Sequence, residues 1–472
     1  MIGIIGRPDI ASDDDRVICV IEDMRQAIIK FGGIPTLILP TQDVEYASMK
    51  PMEVPLMTTS EKEAMYAMIE QCDGIVMPGG LAWYEYDEVV ATYVREHQIP
   101  TLGICLGMQI MAKVTRDDRD IITDDTVRNE SEIDHCQPGV SHVHSITIMK
   151  GTKLYDIIQM EQLDVNSRHR YHVLNSDHTV VSAVAKDGII EAMEDPDHPF
   201  MIGVQWHPES ICEDESSERL FRAFIEASKH HQKGVRDIKK PLIGMIGRPD
   251  ETVDHNMIIG MWEDSRRAII KKGGIPFVLL PNQDLVYEST RPRDVPALTD
   301  LEKDELKQII TIPNGLLIPG GYKWYEFDCQ LYEYALERDL PVLGICTGMQ
   351  MMARIDNQSD QDAFFPNIRN ETETDHHQRD VKYVHDVILT EDSRLYQIVK
   401  ESKISVNSRH NYHIPKVNHF RVAAISHDEL IEGIEAINKQ FVIGVQWHPE
   451  TMLDYDQPAN RLLEAFIKAC EK

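Results

Sequence analysis

The chain has 472 residues, a formal net charge of −30, and 42% hydrophobic against 27% charged residues, a composition that suits full-sized cores. A surface this acidic repels phosphate backbones and anionic lipid, which argues against nucleic-acid and membrane-surface partners. No apolar run approaches the ~18 residues of a membrane span, the opening MIGIIGRPDIASDDD lacks the basic start of a secretory signal, and eight cysteines without a CxxC pair suggest neither zinc nor disulfides and a reducing cytoplasm.

An apolar strand is predicted at Ile2–Ile5, followed by a helix in which Val20, Met24, Ala27 and Ile28 recur at helical spacing. Gly32-Gly33-Ile34-Pro35 ends it, and a second strand follows at Thr36–Leu39. GIVMPGG (74–80) reads as a buried strand running into a glycine turn, then a helix over Glu88–His97, the strand TLGIC (101–105) and a helix over Met108–Val114. From about Thr147 the strands shorten and alternate, as at an antiparallel edge. An apolar strand at Phe200–Trp206 leads to a helix over 215–228, with Leu220, Phe221, Phe224 and Ile225 on one stripe. Strands and helices alternating in this way predict a doubly wound α/β domain with a mainly parallel sheet, whose functional groups collect at the carboxyl ends of the strands.

After the polar, basic segment KHHQKGVRDIKKP (229–241) the pattern starts again. IGIIGRPD at Ile2 returns as IGMIGRPD at Ile243, GICLGMQ at Gly103 as GICTGMQ at Gly344, and VNSRH at Val165 as VNSRH at Val406. GVQWHPE at Gly203 returns at Gly444, and every pair is separated by the same 241 positions. Two tandem copies are therefore expected, 1–230 and 242–472, joined by a linker at 231–241. Related domains that dimerise bury the same patch on both partners, so the copies are expected to meet around a pseudo-two-fold axis within one chain.

Gly103-Ile-Cys105-Leu-Gly107 follows a buried strand and opens a helix, the spacing of a nucleophile elbow with cysteine in the place of serine. The glycines admit the tight turn, and a helix N-terminus behind the sulfur favours the thiolate. Of the eight cysteines only Cys105 and Cys346 occupy matching positions, which separates them from packing cysteines. A thiolate needs a base, and six histidine pairs match: 135/376, 144/385, 169/410, 172/413, 178/419 and 207/448. His207 stands out because it ends an apolar strand and precedes Pro208-Glu209; in an extended segment His207 and Glu209 project to one side, so the carboxylate can orient the imidazole. His448 and Glu450 repeat this, and each histidine lies 102 residues after its cysteine. Gly79-Gly80 and Gly320-Gly321 leave backbone N–H groups free to face an oxyanion, joined by the amides of Leu106 and Thr347.

PGG, GICxGMQ, VNSRH and QWHPE together resemble the class I glutamine amidotransferase superfamily, and within it the γ-glutamyl-γ-aminobutyrate hydrolase (peptidase C26) branch, over nearly all of each half. The resemblance implies two Rossmann-like, flavodoxin-like domains in which a cysteine attacks a γ-glutamyl amide, an acyl-thioester forms, the amine leaves and water releases glutamate. It places the nucleophile on Cys105 and Cys346, the base on His207 and His448, and the orienting carboxylate on Glu209 and Glu450. Gln109 and Gln350 become glutamyl-site contacts, and Asn166, Ser167, Arg168 and His169, with Asn407, Ser408, Arg409 and His410, become candidate substrate contacts. Arg168 and Arg409 could grip a substrate carboxylate bidentately, as could Arg7/Arg248 and Arg128/Arg369; for all of these a solvated surface arginine is the plain alternative. Trp83-Tyr84 and Trp324-Tyr325 could floor a pocket or pack a core.

The chain departs from the family pattern where the leaving amine is recognised. Arg170-Tyr171 and Asn411-Tyr412 stand where a histidine and a glutamine usually follow VNSxH, the stretches after the elbow read TRDDRDIITDDTVRNE and IDNQSDQDAFFPNIRNE, and the loop after PGG is short. The expected activity is hydrolysis of small γ-glutamyl compounds without metal or organic cofactor. The alternatives are a glutaminase component that donates ammonia to a synthetase, and a non-enzymatic scaffold; an intact Cys–His–Glu set in both halves weighs against the last.

Overall fold

The computed structural model describes residues 1–115, 126–128, 131, 133–174, 177–231, 233, 240–357 and 372–471. Most of the linker at 231–241, the Arg369 position, the Arg128 side chain and most of the two stretches after the elbows lie outside the described residues. The chain divides into two compact units: Met1–Asp237 with Asp250–Gly260 and Asn282–Val286, and Ile238–Pro249 with Met261–Pro281 and Tyr287–Lys472.

In the first unit the strand Ile2–Ile5 pairs in parallel with Pro35–Ile38 on one side and Gly74–Met77 on the other. Gly74–Met77 pairs in parallel with Thr101–Ile104, which pairs in parallel with Met201–Val204. Beyond that strand the sheet turns antiparallel, through Ile190–Glu194, Val180–Ala185, His144–Ile148 and Gln162–Val165. The five parallel strands consist of buried residues throughout, as a sheet covered by helices on both faces requires. The second unit repeats the order. Ile275–Leu279, Leu242–Ile246, Gly315–Ile318, Val342–Ile345 and Val442–Val445 run parallel, then Ile431–Ala436, Phe420–Ser426, His385–Leu389 and Lys403–Val406 follow antiparallel. Each unit is thus α/β with a mainly parallel sheet and an antiparallel extension.

The local differences from the sequence reading have simple causes. Val20 lies in a strand, Arg16–Ile21, that pairs with Arg7–Ile10, because Val17, Ile18, Val20 and Ile21 are β-branched and prefer a pleated surface; the helix spans Glu22–Lys30. The helix predicted over Glu88–His97 spans Glu85–Glu96, since the Asp87 carboxylate accepts from the Tyr84 N–H at 2.9 Å and caps the earlier start. The elbow helix begins at Leu106, directly after the cysteine.

Candidate active site

Three neighbouring parallel strands end at one place. Gly74–Met77 delivers Pro78-Gly79-Gly80, Thr101–Ile104 delivers Cys105, and Met201–Val204 delivers His207. The register sets Met77 opposite Gly103 and Val204 opposite Ile104, and the Cys105 N–H donates to the Val204 carbonyl at 2.7 Å. The pairing of the sheet therefore brings the three motifs together.

Cys105 adopts φ 52°, ψ −105°, and Cys346 φ 52°, ψ −108°, a conformation that L-residues with a Cβ rarely hold. The surrounding glycines make the turn possible. A Cβ on Gly107 would sit 2.0 Å from the Met77 carbonyl oxygen, and one on Gly79 would sit 2.8 Å from His207 Cε1. The second unit gives 2.2 Å for Gly348 to the Ile318 oxygen and 2.8 Å for Gly320 to His448 Cε1. Leu106 and Thr347 are the first residues of their helices, so their N–H groups have no acceptor within the helix.

His207 Nδ1 lies 2.7 Å from Glu209 Oε1, and His448 Nδ1 lies 2.7 Å from Glu450 Oε1. Burial disfavours the imidazolium, but the Glu209 carboxylate and the hydrogen-bonded Cys105 outweigh it and raise the His207 pKa to about 10. The balance at His448, with Glu450 and Cys346, is the same and also reaches about 10. With Nδ1 turned to the carboxylate, Nε2 is the nitrogen left to face the sulfur. Gln446 Nε2 also donates to Cys346 Sγ, at 3.5 Å.

Within the VNSRH segments, Asn166 and Asn407 brace the backbone of His207 and His448. Asn166 Nδ2 donates to the His207 carbonyl and the His207 N–H donates to Asn166 Oδ1, both at 2.8 Å. Asn407 makes the same pair with His448 at 3.1 and 2.8 Å, and adds a bond to Thr451 Oγ1 at 2.9 Å. Ser167 and Ser408 are buried and donate to the carbonyls of His135 and His376 at 2.7 and 2.8 Å. His169 and His410 are buried with Nδ1 at 3.0 Å from the carbonyls of Tyr171 and Tyr412. Arg168 and Arg409 are half-buried, each with an Nε that has no hydrogen-bond partner among the described residues. Gln109 Nε2 donates to the Tyr171 carbonyl at 3.1 Å and to Gln205 Oε1 at 3.3 Å; Gln350 does the same with Tyr412 and Gln446 at 2.9 and 3.1 Å.

Arg7 and Arg248 turn out to brace the glycine turns. Arg7 donates to Asp87 Oδ1 at 2.5 Å and to the Pro78 carbonyl at 3.0 Å. Arg248 pairs with Asp328 and donates to the carbonyls of Pro319 and Gly320 at 2.9 and 3.0 Å. Tyr84 and Tyr325 are buried, with hydroxyls donating to backbone carbonyls, so they pack the core. Sequence reading passed over Gln205 and Gln446 although they sit inside the repeated GVQWHPE, and over Asp87 and Asp328, which also match across the repeat.

The two sites are not identical. Thr347 Oγ1 donates to the Gly321 carbonyl, a bond Leu106 cannot make, and Gly321 has φ +146°. Just after the glycine turns stand Leu81 and Tyr322, both exposed large apolar side chains.

Comparison with known proteins matches the peptidase C26 family to residues 84–209 and 322–450, more than half of the chain. A glutamine amidotransferase-like protein of Rickettsia prowazekii (strain Madrid E) is 30% identical over 238 residues, covering 38% of this chain and 84% of that protein. A CTP synthase of Chlamydia caviae is 30% identical over 204 residues, covering 37% of each. The solved glutaminase domain of Trypanosoma brucei CTPS, with bound acivicin, covers 49% of this chain and 94% of its own at 20% identity and a TM-score of 0.35. The chain thus spans most of the first relative and about a third of the second.

Proposed function

The chain belongs to the peptidase C26 family, as two copies of a glutamine amidotransferase-like amide hydrolase, and from that premise we propose that it cleaves the γ-glutamyl amide bond of small γ-glutamyl compounds through a cysteine thioester. The reading rests on one observation above the others. In both units a cysteine at a strained elbow meets a histidine whose far nitrogen is held 2.7 Å from a buried carboxylate.

In the proposed reaction the Cys105 thiolate attacks the amide carbon, and the oxyanion is met by the Gly79-Gly80 and Leu106 backbone amides. The His207 imidazolium gives its Nε2 proton to the amide nitrogen, the C–N bond breaks and the amine leaves. The neutral imidazole then takes a proton from water, the hydroxide adds to the thioester, and the thiolate departs with glutamate released. Glu209 stays ionised and holds the ring in register. Cys346, His448, Glu450, Gly320-Gly321 and Thr347 do the same in the second unit. Asn166 and Asn407 act by positioning the histidines, because both ends of their amides are spent on that backbone. A thiol nucleophile must stay reduced, and the eight cysteines are all free, so a reducing compartment suits the reaction.

Glutamate release from a panel of γ-glutamyl amides, glutamine included, tests the substrate class; no release from any of them overturns it. A glutaminase component that feeds ammonia to a synthetase is the second reading, favoured by the relatives named CTP synthase. It predicts glutamine as the preferred substrate and turnover stimulated by a co-purifying partner.

A further inference from the structure

Away from the cysteine, in the antiparallel part of each sheet, four buried side chains converge. In the first unit Glu191 Oε1 lies 3.2 Å from His135 Nδ1, 3.4 Å from His144 Nε2 and 3.5 Å from His169 Nε2. In the second, Glu432 Oε1 lies 3.7 Å from His376 Nδ1, 3.8 Å from His385 Nε2 and 3.4 Å from His410 Nε2. Donor atoms of His376, His385, His410 and Glu432 all lie within 4.8 Å of one another, as do those of His135, His144 and Glu191. Glu191 is 0% exposed and Glu432 1%. Neither carboxylate accepts a well-aligned hydrogen bond from any described residue, and His144, His169, His385 and His410 each present an Nε2 without one. Buried carboxylates and imidazoles left this way are costly unless something sits among them.

The outer contacts fix which nitrogen faces inward. His135 Nε2 lies 2.9 Å from Asp187, and His376 Nε2 2.9 Å from Asp428, so their Nδ1 atoms turn to the glutamate. His169 and His410 give Nδ1–H to the carbonyls of Tyr171 and Tyr412 at 3.0 Å, so their Nε2 lone pairs point at the glutamate. Ser167 stands 3.4 Å from His135 Nδ1, but its proton is committed to the His135 carbonyl at 2.7 Å. A neutral imidazole aims its lone pair at the carboxylate and repels it, so a positive charge, a metal ion or a proton, belongs between them. Carboxylate–histidine and carbonyl–histidine contacts of this kind orient metal-binding imidazoles in the tautomer a metal needs. A tetrahedral zinc with N and O ligands at ~2.0–2.1 Å spaces its donors about 3.3 Å apart, close to the glutamate–histidine separations of the first unit and within about half an ångström of those in the second; His169 meets Glu191 at 3.5 Å but stands outside the tighter group formed by His135, His144 and Glu191, so it closes in as the fourth ligand.

We propose that each unit holds one divalent transition-metal ion of the zinc class, bound by His135, His144, His169 and Glu191 in the first and by His376, His385, His410 and Glu432 in the second. Three imidazoles and one carboxylate form a borderline N/O donor set that suits zinc, and four protein ligands in a buried site leave no open position. The ion is therefore structural. Its place in the fold gives it work: His169 and His410 belong to the same VNSRH segments whose Asn166 and Asn407 brace the backbone of His207 and His448.

Metal analysis of the purified full-length chain tests this independently of turnover. Two zinc-class ions per chain are expected, one fewer in Glu191→Gln, one fewer in Glu432→Gln, and none in the double variant. Wild-type chain stripped with a chelator and reloaded with Co2+ should show the visible bands of a four-coordinate cobalt site, and stripping should lower Tm, with Zn2+ restoring it. A wild-type chain that carries no metal, takes up neither Zn2+ nor Co2+ and melts at the same temperature with and without chelator overturns the proposal. The clusters would then be proton-sharing networks.

Discussion

The position of one proton decides the behaviour of each proposed catalytic histidine. With its pKa raised from 6.5 to about 10, His207 carries its charge through neutral pH and is poised to protonate a leaving amine. A raised pKa in the folded state stabilises the fold fully below the ordinary histidine value and loses that contribution as pH climbs through the folded one. The stabilising term from His207 and His448 should therefore be complete at pH 6 and fade between 6.5 and about 10. Urea unfolding of the wild type against the Glu209→Gln/Glu450→Gln double variant should show a gap that narrows towards the alkaline end; a gap that widens there would contradict the assignment. In the mechanism proposed, removing the base from one unit of a chain whose other cysteine is already Ala should lower kcat by roughly 10²–10⁴-fold, as His207→Ala in Cys346→Ala would show by glutamate release. Asn166→Ala in that background should lower kcat with little change in KM, since it loosens the ring rather than removing a substrate contact.

At the scale of elements, strand ends and tight turns explain why much of the candidate site was legible in the sequence. PGG, GICxG and QWHPE are contiguous motifs, each on the carboxyl end of a strand, and parallel pairing sets them side by side. Gly107 reads as an elbow residue in the sequence and as a 2.0 Å collision in the fold, so Gly107→Ala should lower Tm by several degrees and abolish the first unit's activity, as melting and assay of the variant would show. Contacts carried by side chains from separate elements were not legible. VNSRH reads as a substrate segment, yet Asn166, Ser167 and His169 spend their polar atoms on backbone and on a buried cluster. That cluster escaped because its ligands, at 135, 144, 169 and 191, have no metal-motif spacing and meet only through antiparallel strands and the segment docked beside them. Val20 sits in a strand for a related reason: its spacing to Met24 fits a helix, but the apolar run around it pairs with Arg7–Ile10.

For the whole molecule, duplication was the plainest signal, since every motif returns after 241 positions and the family matches twice. The copies have diverged beside their cysteines, at Leu106 against Thr347 and at Leu81 against Tyr322. If those side chains face the amine half of the substrate, the single-cysteine variants should rank a panel of γ-glutamyl amides differently, and exchanging Leu81→Tyr with Tyr322→Leu should move KM values toward each other; identical rankings would leave the divergence without a role in specificity. No helix among the described residues is long and apolar enough to cross a membrane. The central claim is that this chain carries two cysteine-dependent γ-glutamyl hydrolase sites, and the most direct test is glutamate release by the wild type, Cys105→Ala, Cys346→Ala and the double variant, each checked for folding. Activity that survives each single substitution and vanishes in the double is the predicted result; undiminished release by the folded double variant, or none by the wild type, would contradict it.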